Sequence, residues 1–312
     1  MTEELPASKL GTKEHWDMVY ERETKEYEET GDEGEIWFGE GAVDKMVDWT
    51  YQYIPPFADG SGPTVMECGC GNGTLLLSIL YPTKPKYRRS VPRHSPRHFT
   101  GIDYSDLSIE LSSKVEGLRR RRWERRIRSD ERRKEAGEEL GVDSDSDSEE
   151  ESDGEDDDDE NDEQVDAGTS SHTKDETTNN PPGVTWFASD LLTSTLQTLH
   201  SQSSSVPLDG WDLVLDKGTY DAIALSQEPV QSGPESSRGK LPSAVYPERV
   251  VGLVKPGGFF LITSCNFTED EIKTRFIREG LVGRSSSTVK HPSFSFGGKT
   301  GSTVCTVAFR RV

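Results

Sequence analysis

Val65-Met66-Glu67-Cys68-Gly69-Cys70-Gly71-Asn72-Gly73-Thr74 is the stretch that decides the fold. A short apolar run ends on an acid, breaks into alternating glycines, and resumes as the apolar Leu75 to Tyr81. That pattern reads as a buried strand turning sharply into a helix, the opening of an α/β unit. Glycines at 69, 71 and 73 let the backbone turn tightly and bring its N–H groups close to a ligand with no Cβ in the way. A dinucleotide fingerprint would put a glycine at position 74, which is Thr74. A phosphate-cradling loop would follow its glycines with lysine, and none follows here.

Downstream, Phe99-Thr100-Gly101-Ile102-Asp103 reads as a second strand ending on a carboxylate, and Ser105 is placed to cap a helix over 105–115. Further strands are expected at Val184 to Ala188, Trp211 to Leu215, Gly258 to Thr263 and Ser302 to Phe309. Strands alternating with helical stretches predict a doubly wound, mostly parallel sheet with helices on both faces. Upstream, Trp16, Val19, Tyr20 and Tyr27 mark one face of a helix, and Val43, Met46, Val47, Tyr51 and Ile54 mark another that Pro55 and Pro56 end. Between them Trp37 and Phe38 stand in a glycine-punctuated loop, as a plug on the core or a lid over a ligand. The division expected is a helical arm and aromatic lid over 1–60 and a ligand-binding domain over 61–312.

Charge separates the remainder. The chain has 312 residues, 57 acidic and 36 basic, for a formal net charge of −21. Residues 141–166 hold 16 acids and no base, residues 114–140 hold 11 bases against 7 acids, and residues 1–50 carry a net −10. What is left is close to neutral. Residues 116–182 therefore read as a long disordered insertion, too polar to bury a core, with Ser144, Ser146 and Ser148 open to phosphorylation. No run approaches the ~20 apolar residues that cross a bilayer, and the polar N-terminus does not resemble a signal peptide, so no membrane association is expected. Cys68, Cys70, Cys265 and Cys305 match neither a zinc ribbon nor a disulfide framework, so reduced, buried thiols and no metal are expected.

The acid-x-G-x-G-x-G form resembles motif I of the S-adenosylmethionine-dependent methyltransferases with a seven-stranded sheet. Asp216-Lys217-Gly218-Thr219-Tyr220-Asp221-Ala222, the upstream Ile36-Trp37-Phe38-Gly39, the opening Lys9 to Glu23 and the late Phe296-Gly297-Gly298-Lys299-Thr300-Gly301 narrow this. Together they resemble the elongation factor methyltransferase 4 family, lysine methyltransferases acting on translation elongation factor 1-alpha. The likeness covers roughly residues 9–113 and 184–309. It implies a Rossmann-like seven-stranded sheet with its last strand antiparallel, S-adenosyl-L-methionine across the carboxyl ends of the first four strands, and elongation factor 1-alpha as the protein partner. A monomer in the cytoplasm, with nuclear presence open, is the matching expectation.

That cofactor carries a sulfonium, an α-amino group, a ribose diol and an adenine, so carboxylates at strand ends suit it. Asp103 is expected on the ribose, Asp190 on the adenine amino group and Glu67 on the amino-acid portion. Gly69, Cys70, Gly71, Asn72 and Gly73 of the loop, with Tyr104, Leu191 and Trp37, complete the cofactor-binding candidates. Lysine at neutral pH is protonated, with an ordinary pKa of ~10.4, so the site has to receive or form a neutral amine. Asp216 is expected to orient that amine, with Trp37, Phe38 and Tyr220 as aromatic walls; the plainer readings are a turn-capping Asp216 and a packed Tyr220. Lys217 reads as structural, and Gly297-Gly298 as a hairpin turn. Two alternatives stand beside this reading: methylation of nucleic acid through the arginines of 119–133, and a non-catalytic module that binds basic partners through the acidic tract.

Overall fold

The computed structural model describes residues 4–54, 62–88, 99–136, 184–277, 280–296 and 299–312. Five parallel strands lie in order β3 (Thr185–Ala188), β2 (Phe99–Asp103), β1 (Val65–Cys68), β4 (Trp211–Lys217) and β5 (Val254–Ser264), followed by β9 (Cys305–Arg311) and β6 (Leu281–Val289). β9 runs antiparallel to both its neighbours, so the sheet has the expected seven strands and one reversed member. Strand order reverses between β1 and β4, and in open α/β sheets ligands bind outside the carboxyl ends at such a point. β7 (Ser293–Phe296) and β8 (Lys299–Ser302) pair antiparallel as a separate hairpin around Gly297 and Gly298, which lie outside the described residues.

The central strands are apolar throughout because both sheet faces are covered. Val65, Phe99, Leu213, Leu215 and Leu261 pack on one side with residues of α1 (Lys13–Thr30), α2 (Glu40–Tyr53), α3 (Thr74–Leu80) and α5 (Asp106–Glu135). Met66, Ile102, Val214, Phe260 and Ile262 pack on the other with α6 (Leu196–Gln202), α7 (Thr219–Ala224), α8 (Pro242–Leu253) and α9 (Glu269–Phe276). The remaining helix, α4, is the single turn Pro85–Arg88.

Helix α1 is capped by Thr12, whose hydroxyl accepts from His15 N, and stopped by Gly31 in left-handed conformation. Ser105 does stand at the N-cap of α5, but its hydroxyl donates to Asp17 Oδ1 at 2.6 Å instead of capping, which ties that turn to α1. Helix α5 corrects the expected start of the insertion. It continues through residue 116 to Glu135, because arginine, glutamate and lysine are good helix formers and because Trp123 packs on Tyr81 and Arg119 pairs with Glu33. Glu116 is itself buried, and its carboxylate accepts from Val184 N at 3.0 Å and Trp186 Nε1 at 2.7 Å. Residues 137–183, with the acidic tract and its serines, lie outside the described residues.

Cys68 and Cys70 are buried free thiols as expected, whereas Cys265 is exposed and Cys305 half-buried. No described helix is long and apolar enough to cross a membrane.

Candidate active site

A cavity of about 340 Å³ opens over the carboxyl ends of β1, β2, β3 and β4. Its floor is the loop after β1, where Gly69, Gly71 and Gly73 all have positive φ, a conformation costly for any residue with a Cβ. Two of these glycines also make room. A Cβ on Gly69 would fall 2.3 Å from Thr219 Oγ1, and one on Gly73 would fall 2.8 Å from Trp186 Cη2. Of the residues expected to bind the cofactor, Gly69, Cys70, Gly71, Asn72, Asp103, Tyr104, Asp190, Leu191 and Trp37 line the cavity. Glu67, Gly73, Asp216 and Tyr220 do not.

Each exception has a structural cause. Gly73 is the left-handed N-cap of α3 and faces Trp186. Glu67 is buried under the loop, where it accepts from Leu76 N at 3.1 Å; burial pushes its carboxyl up, and the neighbouring Lys217 ammonium opposes that. Asp216 lies inside β4, not after it, and its side chain turns down to the start of α7. It accepts from Thr219 N at 2.9 Å, from Tyr220 N at 3.2 Å and from Tyr246 Oη at 2.7 Å. Burial raises its carboxyl to about 7, against the pull of those three donors. Asp216 is therefore the turn-capping residue, not an acid facing an amine. Tyr220 is fully buried against Tyr246, Phe267 and Phe276, and its hydroxyl donates to Ser243 O.

The carboxylates that do reach the cavity suit a cationic, phosphate-free ligand. Asp103 accepts from Gly71 N at 3.1 Å and Ser105 N at 3.0 Å, which fixes its plane and leaves further lone pairs for hydroxyl donors. Its pKa is raised by burial, with those backbone donors opposing. Asp190 holds the turn after β3 through Leu192 N at 2.9 Å while facing the cavity, and Leu191 is buried beside it. Glu23 and Glu35 also line the cavity; neither was singled out from the sequence, although Glu23 falls on the α1 face marked by Trp16, Tyr20 and Tyr27. Among the lining residues Lys217 is the one basic side chain, and its ammonium donates to Trp37 O at 3.3 Å. Burial lowers the Lys217 pKa, with Glu67 opposing.

Residues 31–39 form a strap that brings Glu35 and Trp37 to the cavity wall. Asn72 Nδ2 donates to Glu33 O at 2.9 Å and Glu35 O at 3.4 Å, and Arg119 Nε to Glu33 Oε2 at 2.7 Å. Asn72 thus spends its amide on the strap while its Oδ1 accepts from Thr74 N. The strap ends with Phe38 at φ 65, the one described non-glycine residue with positive φ, which brings Trp37 against Trp16 at 4.8 Å and both Trp37 and Phe38 over Gly218. Residues held in such regions cost ~1–3 kcal/mol and collect where function demands a geometry. The expected cofactor fits this cavity: a glycine floor open to a ligand, carboxylates at the ends of β2 and β3, and a single lining cation, Lys217, whose charge is opposed by the neighbouring Glu67 and Asp216. No group of metal-ligating side chains occurs among the described residues.

No family model matches the chain. Among solved structures it is similar to the N-methyltransferase NodS from Bradyrhizobium japonicum in complex with S-adenosyl-L-homocysteine, with 12% identity and a TM-score of 0.45 over 95% of this chain and 98% of that one. Full-length relatives are nearer in sequence. EEF1A lysine methyltransferase 2 of Mus musculus is 30% identical over 307 residues, 97% of this chain and 84% of that protein. Protein-lysine N-methyltransferase efm4 of Schizosaccharomyces pombe is 32% identical over 310 residues, 98% of this chain and 95% of that protein. With that identity running the length of both chains, the protein belongs to the family of S-adenosylmethionine-dependent protein-lysine N-methyltransferases that includes efm4 and EEF1A lysine methyltransferase 2.

Proposed function

We propose that this protein methylates the ε-amino group of a lysine in translation elongation factor 1-alpha. The observation that carries the substrate is the near full-length likeness to relatives named for that activity, EEF1A lysine methyltransferase 2 among them. S-adenosyl-L-methionine, the family's cofactor, supplies an activated methyl on a sulfonium. What this chain adds is positioning and exclusion of water.

Asp103 is placed to receive the ribose hydroxyls, and Tyr104 and Leu191 to flank the adenine. Trp37 and Trp16 line the cavity beside Gly218, with Phe38 packed on Gly218 behind Trp37, and there an incoming lysine loses water. Desolvation there disfavours the ammonium and lowers the amine's pKa from its ordinary ~10.4 toward neutrality. Asp216 acts one step back: by capping α7 it holds the Gly218–Thr219 turn on which Trp37 and Phe38 rest.

The test is transfer of tritiated methyl from S-adenosylmethionine to unmodified recombinant elongation factor 1-alpha, with the labelled residue located by mass spectrometry. A labelled lysine is expected. Label on nucleic acid, or none on the factor, overturns the reading. We further propose a monomer working in the cytoplasm, with nuclear presence left open. Light scattering showing a dimer, or fractionation showing exclusion from the cytoplasm, would remove those parts.

A further inference from the structure

The inner face of α1 carries two polar groups that the cofactor and lysine assignments leave unused, Tyr20 and Glu23. Glu23 is 4% exposed and lines the cavity. Its one hydrogen bond among the described residues comes from Glu35 N at 3.3 Å, and no described cation pairs with it. A buried carboxylate is costly unless it is paired or hydrogen-bonded to satisfaction. Accordingly its pKa is raised, chiefly by burial, with Glu35 N–H and Arg22 opposing. One turn earlier, Tyr20 points its hydroxyl at the glycine loop, 3.3 Å from where a Cβ on Gly71 would be, and has no hydrogen-bond partner among the described residues.

These groups stand beside the glycine loop and the strap. Glu23 Oε2 and Asn72 Nδ2 flank Gly34, lying 2.6 Å and 3.5 Å from the position of a Cβ there. Trp37 and Gly218, where the lysine is proposed to enter, lie beside Trp16, two turns before Glu23 on the same helix face. A sulfonium has no N–H to donate, so it does not satisfy a lone carboxylate oxygen; a primary ammonium does. Glu67, which the sequence places on the cofactor's amino-acid portion, is occupied under the loop by Leu76 N.

We propose that Glu23 binds the α-ammonium group of S-adenosylmethionine, with the Tyr20 hydroxyl as a second contact beside Gly71. The proposal rests on the cofactor assignment and adds which side chain reads the amino-acid end of that molecule. It makes the N-terminal arm part of the cofactor site and not only its cover.

Titration calorimetry with two probes tests it: S-adenosylhomocysteine, which has the α-ammonium, and 5′-methylthioadenosine, which keeps the nucleoside and thioether but lacks the amino-acid portion. Glu23→Gln keeps an acceptor for Glu35 N, so the strap stays tied. The expected result is a ~10–100-fold loss of affinity for S-adenosylhomocysteine, the size of a lost charged hydrogen bond, and less than about 2-fold for methylthioadenosine. Equal losses for both probes, or unchanged S-adenosylhomocysteine binding with a raised KM for the protein substrate, overturn the proposal. Wild-type protein that binds neither probe overturns the cofactor assignment itself. Should Glu23→Gln fail to fold, Tyr20→Phe carries the same comparison, with a several-fold loss confined to S-adenosylhomocysteine expected and equal changes for both probes counting against it.

Discussion

Gly218 offers a way to move the aromatic lid by a known small distance. It sits at φ +84, and a Cβ there would meet Phe38 Cζ at 3.0 Å, Trp37 Cε3 at 3.1 Å and Phe38 Cε2 at 3.2 Å. Gly218→Ala therefore acts twice. The left-handed backbone costs a residue with a Cβ about 1–2 kcal/mol. In addition, carbon contacts relax toward ~3.5–4.0 Å, so the rings retreat by roughly 0.5 Å. Gly257 separates the two effects: its φ is +85, yet a Cβ there meets nothing within 4 Å. Both alanine variants should lose about 1–2 kcal/mol of unfolding free energy in urea, and about 2–4 °C of Tm per kcal/mol. Only Gly218→Ala should lose activity. If a 1 Å misplacement costs ~10²-fold, half that distance costs about 10-fold in kcat/KM, read as methyl transfer to elongation factor 1-alpha at saturating cofactor. Unchanged kcat/KM in Gly218→Ala, or an equal loss in Gly257→Ala, would refute the idea that the lid's seat on Gly218 sets the reacting geometry.

Other consequences follow from buried charge. Because the Asp216 carboxyl is raised from 3.8 to about 7, its contribution to stability is present at low pH and is lost as pH rises from about 4 to about 7, by up to about 4 kcal/mol. Asp216→Asn should flatten that part of the stability profile in denaturant titrations at pH 5 and pH 8; parallel profiles for the two proteins would contradict it. Glu116→Ala strips the acceptor from Val184 N and Trp186 Nε1 and should cost about 3 kcal/mol, with a fall in Tm by calorimetry; a wild-type Tm would show that the contacts carry no weight. Asp103→Ala should weaken S-adenosylhomocysteine binding by at least ~10-fold without unfolding the protein, and unchanged calorimetry would remove Asp103 from the site. Finally, residues 1–50 carry a net −10, so kcat/KM toward a basic substrate surface should fall as ionic strength rises from ~0.05 to ~0.5 M; salt-independent turnover would exclude steering by this arm.

Much of the fold is written locally. The strand, glycine turn and helix over 65–80, the acid closing β2 and the two amphipathic helices of the arm need no long-range information, because each rests on periodicity or backbone freedom. Asp216 shows where local reading stops. Its position near the end of β4 was legible, but whether its carboxylate faces the ligand or turns under the sheet edge depends on Tyr246, thirty residues away. The three-residue step to Thr219, whose N–H it accepts, was a capping signal available in the sequence. Glu23 was legible in the same sense, as an acid on an otherwise apolar helix face. The length of α5 is hidden in the sequence because its arginines read as a solvated charge run, whereas helix propensity, Trp123 on Tyr81 and Arg119 on Glu33 together carry the helix on. The aromatics of the strap were legible as a plug or a lid, but its course was not, since its ties come from α1, the glycine loop, α5 and β4.

Those ties also set a schedule for synthesis. Lys217 and the Trp37 carbonyl it holds are 180 residues apart in sequence, and Ser8 N waits for the carbonyl of Leu225. At ~5–20 residues per second, the arm leaves the ribosome about 10–40 s before its last partner exists. For the first part of that interval, until the segment of α5 on which α1 packs has been made, Trp16, Val19 and Tyr20 have an apolar face and nowhere to put it. The arm is thus a segment whose outermost ties close late, which makes it a stretch of the nascent chain in need of protection by a chaperone.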